Sequence, residues 1–338
     1  MFFTIDRKLF SQSEVDILNL NKVWNVCIEQ HTFYLSDFDE LEAIEASDWY
    51  KNLSDSDKKL WEENFVKSVQ MGDKSDKIKV SIGDTHTAFE AFQYLSSPLK
   101  IILENSQNDA HFINAIFRCF RKESKTIVKH IENRWIQFCM GGGSSIEQTV
   151  QSDMDSFNSD RFTKKSEEYL RCFVLLDSDK EHSAAPLKKS TNDLVKFLNG
   201  IGVTYHVLEK REMENYIPDI ALDKVKNNRP FIEAYLRLSE DQKDYFDLEK
   251  GFPPDKNFNS LSTDLQNLYS TVDENDRVIF RQYDMKKFTS SGREDFKKEF
   301  PKLFSSECVD KTSLLARTSH QHNPNELKDI IQKIRDLL

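Results

Sequence analysis

Near the middle of the chain, an apolar run ends in two carboxylates: Cys172-Phe173-Val174-Leu175-Leu176-Asp177-Ser178-Asp179. A short, continuous apolar run is typical of a strand that is buried on both faces, as the strands of a parallel sheet are. Open parallel sheets bind their ligands at the carboxyl ends of the strands. We therefore expect Asp177 and Asp179 to lie at a ligand-binding edge.

Three other segments share this pattern of an apolar run followed by polar or glycine residues. They are Leu99 to Leu103 before Glu104, Trp135 to Met140 before three glycines, and Val203 to Leu208 before Glu209. Segments with helical periodicity separate these runs, such as Asp109 to Lys122 and Ala184 to Asn199. The alternation predicts an α/β fold: a parallel sheet of about four strands, with helices on both faces and right-handed crossovers.

The regions on either side of this unit have a different pattern. Residues 1–97 are rich in charged and aromatic residues and predict a mainly helical region, with one short strand at Lys77 to Ile82. Residues 219–338 also predict mainly helices and close with an amphipathic segment from Asn325 to Leu338. The sequence therefore predicts three units, at residues 1–97, 98–218 and 219–338.

Composition narrows the class of protein. The chain has 338 residues, a net charge of -10 and no overall basic character, although a local basic groove is compatible with these values. Five cysteines without a C-x-x-C pair predict reduced thiols. No apolar run approaches the roughly 18 to 20 residues of a membrane span, and the first residues do not match a signal peptide. We expect a soluble cytoplasmic protein that does not bind membranes.

The strand-end acids predict metal chemistry. Asp177 and Asp179, two positions apart, can both turn towards one hard cation such as Mg²⁺. Glu104 offers a third carboxylate, or a group for acid–base catalysis. Two alternatives stay open: an aspartate after a strand is often only a helix N-cap, and HAD-type phosphatases also carry a D-x-D, there after the first strand. Asp109 is expected to cap the next helix rather than to bind a second metal.

Two further segments could contact a phosphate. Gly141-Gly142-Gly143 precedes a predicted helix, where glycines allow close approach and free amides can bind an anion. The triplet matches neither a dinucleotide-binding motif nor a P-loop, and a tight turn is the alternative. The segment Leu208 to Tyr216 alternates acids and bases, and could supply a carboxylate and a cation or simply form a salt-bridged turn.

Together these four pieces resemble the Toprim (topoisomerase-primase) domain, and more closely the OLD-like branch of Toprim nucleases found in bacterial anti-phage systems. The resemblance covers about residues 98–218. It is carried by the strand-end Glu104, the glycines, Asp177-Ser178-Asp179, and Leu208-Glu209-Lys210-Arg211-Glu212-Met213-Glu214-Asn215-Tyr216.

The resemblance implies a nuclease that depends on Mg²⁺ or Mn²⁺ and cleaves DNA or RNA. Metal ligands would be Glu104, Asp177, Asp179 and Glu214, with Glu212 as the alternative to Glu214. The implied catalytic residues are Glu104, Asp177, Asp179 and Lys210. Substrate phosphate would contact Gly142, Gly143 and Arg211.

The resemblance also bears on partners. Related nucleases usually carry an ATPase domain in the same chain, and no Walker motif occurs here, so a separate ATPase partner is implied. Assembly with further copies of the chain stays open. One departure is Asn105, which follows Glu104 where the Toprim pattern has glycine, and which bears on the geometry and activity of the site. The alternative function is a catalytically weak Toprim module that binds a partner protein or nucleic acid.

Overall fold

The computed structural model describes residues 1–11, 14–35, 38–73, 75–142, 145–249, 251, 258–282 and 296–338. Its strands form two parallel sheets, with strand orders β2-β1-β3 and β5-β4-β6-β7. The strands are β1 (Phe2–Ile5), β2 (Thr32–Phe33), β3 (Ile78–Ile82), β4 (Leu99–Leu103), β5 (Ile136–Met140), β6 (Cys172–Leu176) and β7 (Thr204–Val207).

Helices surround both sheets. The described α-helices are α1 (Glu14–Cys27), α2 (Phe38–Glu45), α3 (Asp48–Lys51), α4 (Asp55–Met71), α5 (Ala88–Ser96), α6 (Ala110–Cys119), α7 (Arg121–Glu132), α8 (Ile146–Asp155), α9 (Lys189–Gly200), α10 (Asp219–Leu222), α11 (Arg229–Leu236), α12 (Glu240–Tyr245), α13 (Thr263–Leu268), α14 (Glu274–Gln282), α15 (Phe296–Glu299), α16 (Lys311–Thr318) and α17 (Glu326–Arg335). Within the described ranges, no helix is long and apolar enough to cross a membrane.

The four-stranded sheet confirms the predicted α/β class. Its central strands β4 and β6 send alternate side chains to opposite faces, as the pleat requires. Ile101 and Phe173 pack on one face against α6, α7 and helices of the C-terminal region, in one large apolar core. Ile102 and Val174 pack on the other face against α8 and α9. Burial on both faces explains why these strands are continuous apolar runs.

The N-terminal region contains a sheet of its own. Strand β3 confirms the short strand expected there, but β1 and β2 were not predicted from the sequence. They have only four and two residues, and their pairing depends on segments far away in the chain. The sheet packs on an aromatic core that includes Trp24, Trp49 and Trp61.

The connection between β4 and β5 differs from the prediction. One helical segment was expected from Asp109 to Lys122. The structure instead has two helices, α6 and α7, which meet at Phe120. The backbone of Phe120 is not helical (φ -102°, ψ 52°), and its side chain is fully buried. Burial of this ring lets the chain change direction without losing core packing.

Candidate active site

Seven acidic side chains line one cavity of about 370 Å³ at the carboxyl edge of the four-stranded sheet; we call it the carboxylate cavity. They come from loops after β4, β6 and β7 and from the C-terminal region: Glu104, Asp109, Asp177, Asp179, Glu212, Glu214 and Glu249. Four of them, Glu104, Asp177, Asp179 and Glu214, are the metal ligands implied by the sequence resemblance. The fold therefore brings the predicted ligands to one place, although they lie up to 110 positions apart (214 - 104).

The D-x-D loop is tied to the segment that follows β7. The buried Ser178 hydroxyl donates to the carbonyl oxygen of Lys210 at 2.7 Å, and the Asp179 amide donates to that of Arg211 at 2.9 Å. The Met213 amide donates to Oδ1 of Asp177 at 3.1 Å. Asp179 has φ 53°, in the left-handed region that aspartate tolerates better than most residues. These bonds fix the carboxylates of the two loops relative to each other.

The loop after β4 places Asp109 in the cavity. Asp109 occupies the N-cap position of α6, as expected, but its side chain makes no capping hydrogen bond to the helix. Its Oδ2 instead accepts from the Asn105 amide at 2.7 Å. Oδ1 of Asn105 accepts from the amides of Gln107 and Asn108, each at 3.1 Å. Asn105 thereby closes a local turn with its side chain, and that turn holds Asp109 beside Glu104.

The glycines after β5 have separate roles. A Cβ atom on Gly141 would lie 2.3 Å from Cγ1 of Ile146, so this position requires glycine for close packing of α8 on the sheet. Gly142 lines the carboxylate cavity, where a substrate phosphate was predicted. Gly143, the other predicted phosphate contact, lies outside the described residues.

The acids raise each other's pKa. Burial is the largest cause for Asp177, whose pKa lies well above its usual range, and the neighbouring Glu214 and Glu212 raise it further. Burial and then Glu212 raise the pKa of Glu214 to about 8. Burial, followed by the charge of Glu104, raises the pKa of Asp109 to about 6, against the opposing hydrogen bond from Asn105. The nearby positive charge is thus too small to offset the free-energy cost of ionising these carboxylates.

Lys297 is the lysine in the described lining of the cavity, and the sequence did not predict it. Its ammonium lies 3.7 Å from the Glu249 carboxylate. Burial lowers the pKa of Lys297, but Glu249, Glu104 and Glu214 outweigh burial and raise it overall. No motif marks residues 249 or 297, because both reach the site only through packing of the C-terminal region.

Lys210 does not face the cavity, which corrects its predicted catalytic role. Its side chain is fully buried. The ammonium donates to the Asp244 carboxylate and, at 2.7 Å, to the Arg317 carbonyl oxygen. Burial is the main cause that lowers the pKa of Lys210 to about 7, although Asp244 acts in the opposite direction. A substrate phosphate could not reach this group without opening the core.

Arg211 is also engaged within the protein. Its guanidinium donates to Asp247 at 2.9 Å and to Glu212 at 3.4 Å, and the residue is buried. The predicted contact of Arg211 with a substrate phosphate is therefore corrected to a positioning role: Arg211 holds Glu212 at the cavity wall. The two basic residues of the segment, Lys210 and Arg211, therefore belong to a buried ion-pair network with Asp244 and Asp247, whereas its acids Glu212 and Glu214 line the cavity.

The donor set of the carboxylate cavity fits a hard divalent cation. Carboxylate oxygens are the ligands that Mg²⁺ and Mn²⁺ prefer, and a bound cation would offset the burial and mutual repulsion that raise the pKa of Asp177 and Glu214. Among the described His, Cys, Asp and Glu side chains, however, no three converge closely enough to hold one ion. The acids line one cavity, but their carboxylates lie further apart than the ligands of a closed metal site.

A further cavity of about 480 Å³ borders the same acids, between α8 and α9. Glu104, Asp177 and Asp179 line both cavities. The second cavity adds apolar side chains such as Leu176 and Leu194, and the polar Ser190 and Thr191 at the start of α9. The three predicted catalytic acids are therefore accessible from both cavities.

Comparisons with known proteins do not assign the chain to a family. No family model, curated protein or solved structure matches it. Any functional assignment depends on the chemistry of this edge of the sheet and on the sequence resemblance.

Proposed function

We propose that this chain is a divalent-metal-dependent nuclease that hydrolyses phosphodiester bonds of DNA or RNA. The observation that carries the proposal is the meeting of Glu104, Asp177, Asp179 and Glu214 in one cavity at the carboxyl edge of a parallel sheet. Such an edge is where open α/β sheets bind their ligands. A phosphodiester substrate repels bare carboxylates, so this arrangement requires a cation between protein and substrate.

Different side chains of the cavity would bind the metal and stabilise the charge on the phosphate. Glu104, Asp177, Asp179 and Glu214 would hold Mg²⁺ or Mn²⁺, with Asp109 and Glu212 close by to complete the ligand set. The bound ion would supply Lewis-acid polarisation of the phosphate and of the attacking water. Lys297 stands at the cavity wall, where its ammonium could stabilise charge that develops on the phosphate.

The resemblance to OLD-like Toprim nucleases supports the wider context. On that ground we propose that the protein is the effector of a bacterial anti-phage defence system and works with a separate ATPase.

The decisive experiment is a cleavage assay with plasmid, single-stranded DNA and total tRNA, each with Mg²⁺, with Mn²⁺ or with EDTA. Wild-type protein should cleave at least one substrate only when metal is present. Asp177→Ala should abolish cleavage with its circular dichroism unchanged. The matched control is Asp160→Ala, which removes an exposed acid outside both cavities and should cleave normally. Equal cleavage by Asp177→Ala and wild type would reject the proposal.

A second function is favoured by a different observation. The acids do not converge on one point, and both basic residues of the Leu208 to Tyr216 segment are buried. These features suit a catalytically weak Toprim module that binds nucleic acid or a partner protein. Calorimetry separates the two functions: a heat of Mn²⁺ binding that Asp177→Ala removes supports the nuclease, and no binding at millimolar Mn²⁺ supports the binding module.

A further inference from the structure

A third cavity, of about 600 Å³, lies on the other side of the D-x-D loop; we call it the histidine cavity. Lys180, which directly follows Asp179, lines it together with Glu209, Tyr245, His320, Gln321 and His322. None of these side chains lines the carboxylate cavity, and only Glu209 belongs to a segment that the sequence singled out. The cavity is nevertheless connected to the site through the backbone of the loop, because Asp179 and Lys180 are consecutive residues.

His320 is held in a defined orientation at the cavity wall. Its Nε2 atom lies 2.7 Å from Oδ2 of the buried Asp244. Asp244 is itself fixed, because it accepts hydrogen bonds from Lys210 and, at 3.0 Å, from Arg317. An ionised carboxylate only accepts hydrogen bonds, so Nε2 of His320 carries the proton. A histidine supported in this way by a buried acid is pre-organised to meet a ligand with its other edge.

The wall also presents fixed acceptors. Both carboxylate oxygens of Glu209 accept from the Asn323 amide, at 2.9 and 3.2 Å, which anchors this side chain and leaves it further acceptor capacity. Gln321 is only 9% exposed and donates from Nε2 to Glu326 at 3.0 Å. Its Oε1 is buried without a hydrogen-bond partner among the described residues. Buried polar groups are rarely left unpaired, so this acceptor behind the wall is an unsatisfied hydrogen-bonding group of the protein.

Aromatic and basic groups also line the cavity, beside the exposed acid Asp241. Tyr245 is half-buried and offers a ring for stacking, and Lys180 and the exposed His322 offer positive or protonatable groups near the cavity mouth. A ring, fixed acceptors and the Lys180 ammonium in one cavity match the three parts of a nucleotide: the base face, the amino groups of the base edge, and the phosphate.

We propose that the histidine cavity binds one unstacked nucleotide of a single-stranded nucleic acid whose backbone continues to the carboxylate cavity. This inference rests on the proposed nuclease function and adds its substrate class: a single strand or loop rather than an intact duplex. The base stacks on Tyr245 and donates to Glu209, and Lys180 with His322 contacts its phosphate. His320 fixes the orientation of the nucleotide.

The test measures binding in EDTA, so that it does not depend on metal or cleavage. Fluorescein-labelled eight-residue oligoribonucleotides and oligodeoxyribonucleotides are titrated with protein, and an eight-base-pair duplex serves as the competitor. Wild type should bind a single strand more tightly than the duplex. Tyr245→Leu, which keeps an apolar side chain but removes the ring, should weaken binding about tenfold, as loss of one stacked base does. The double variant Lys180→Ala, His322→Ala should weaken binding and reduce its salt dependence.

Two controls make the result specific. Lys59→Ala removes an exposed lysine on α4, far from the cavity lining, and should bind as wild type. Thermal unfolding of every variant shows whether the substitution left the fold intact, and the half-buried or exposed positions chosen here should tolerate it. The two oligonucleotide types show whether the 2′-hydroxyl contributes to recognition.

The outcomes separate this inference from the proposed function. If wild type binds no single strand, or if the cavity variants bind like wild type, the nucleotide site is rejected even when wild type still cleaves with metal. If the cavity variants lose binding while wild type never cleaves in any metal, the nucleotide site stands and the nuclease function fails.

Discussion

The hydroxyl of Ser178 donates to the carbonyl oxygen of Lys210 at 2.7 Å, in a position without solvent exposure. This contact joins the middle of the D-x-D loop to the segment that carries Glu212 and Glu214. Ser178 is thus a positioning residue: it sets the distance between acids that stand on different strands of the sheet. The same segment carries the buried Lys210, so this hydrogen bond also links the D-x-D loop to the ion pair between Lys210 and Asp244.

Ser178→Ala should lower the free energy of unfolding by about 1–2 kcal/mol, because a buried carbonyl loses a hydrogen-bond donor. Chemical denaturation measures this loss. Metal-dependent cleavage should fall by more than the change in stability explains. Ser156→Ala is the matched control, since that hydroxyl also donates to a carbonyl oxygen, 2.6 Å away on Asp153, but at the surface. An effect of equal size in both variants would contradict the positioning role.

Stability without metal should depend on pH. A carboxyl group with a raised pKa in the folded protein keeps a proton that the unfolded chain has released, so the free energy of unfolding falls as pH rises between the two pKa values. For Glu214 this window runs from 4.5 to about 8. Denaturation at several pH values in EDTA should show the decrease, and Glu214→Gln should reduce it.

Metal should reverse this trend. Added Mn²⁺ binds ionised carboxylates, so it should stabilise the fold more at pH 8 than at pH 5. Glu29→Gln alters an exposed glutamate in the turn after α1, outside the carboxylate cavity, and should leave both pH profiles unchanged. A profile in EDTA that rises from pH 5 to pH 8 and is insensitive to Glu214→Gln would show that these acids do not repel one another.

Lys297 should affect metal binding and cleavage in opposite directions. Lys297→Ala removes a cation that competes with the metal, so the apparent Kd for Mn²⁺ by calorimetry should fall several-fold. Cleavage should drop by about a hundredfold if the ammonium stabilises charge on the phosphate. Lys298→Ala removes the neighbouring exposed lysine and should change neither quantity. A decrease in both metal affinity and cleavage would point instead to a structural role.

Asn105→Gly should destabilise the protein, although it restores the residue of the Toprim pattern. The backbone of Asn105 does not adopt a positive φ, so the position does not require glycine. The substitution removes two hydrogen bonds from the turn and adds freedom to the unfolded chain, at a cost of about 1 kcal/mol. Thermal unfolding measures the loss. Asn105→Ser keeps an uncharged side-chain acceptor for the turn and should retain more of the stability than the glycine variant, whereas a more stable glycine variant would contradict the role of the turn.

The central strands β4 and β6 of the four-stranded sheet were predictable because they are short, mostly apolar and buried on both faces, whereas the edge strands β5 and β7 are only partly buried. For such strands the pattern along the chain directly reflects burial, and the acid that ends each run marks the sheet edge. Strands β1 and β2 gave no comparable signal. They are short, and half of their residues face a core that helices from elsewhere in the chain complete.

The Leu208 to Tyr216 segment shows where sequence analysis fails. Its alternating charges resemble a solvated or phosphate-binding cluster, yet Lys210 is fully buried and Arg211 nearly so. Their partners Asp244 and Asp247 come from a region 34 and 36 positions further along, which the prediction treated as a separate unit. A charged side chain is buried at an acceptable free-energy cost only if an oppositely charged partner contacts it. A local sequence pattern does not show which residues so far apart in the chain come into contact.

The sequence by itself determined the α/β class, the strands of the four-stranded sheet and the sheet edge at which Glu104, Asp177 and Asp179 stand, because local apolar runs and the acids that follow them carry this information. Only the tertiary structure decided that Asp109, Glu249 and Lys297 join these acids, that Lys210 and Arg211 lie beneath the site, and that a histidine cavity adjoins the loop. These relationships depend on long-range packing of the C-terminal region against the sheet, which brings together charges whose mutual distances no stretch of sequence specifies.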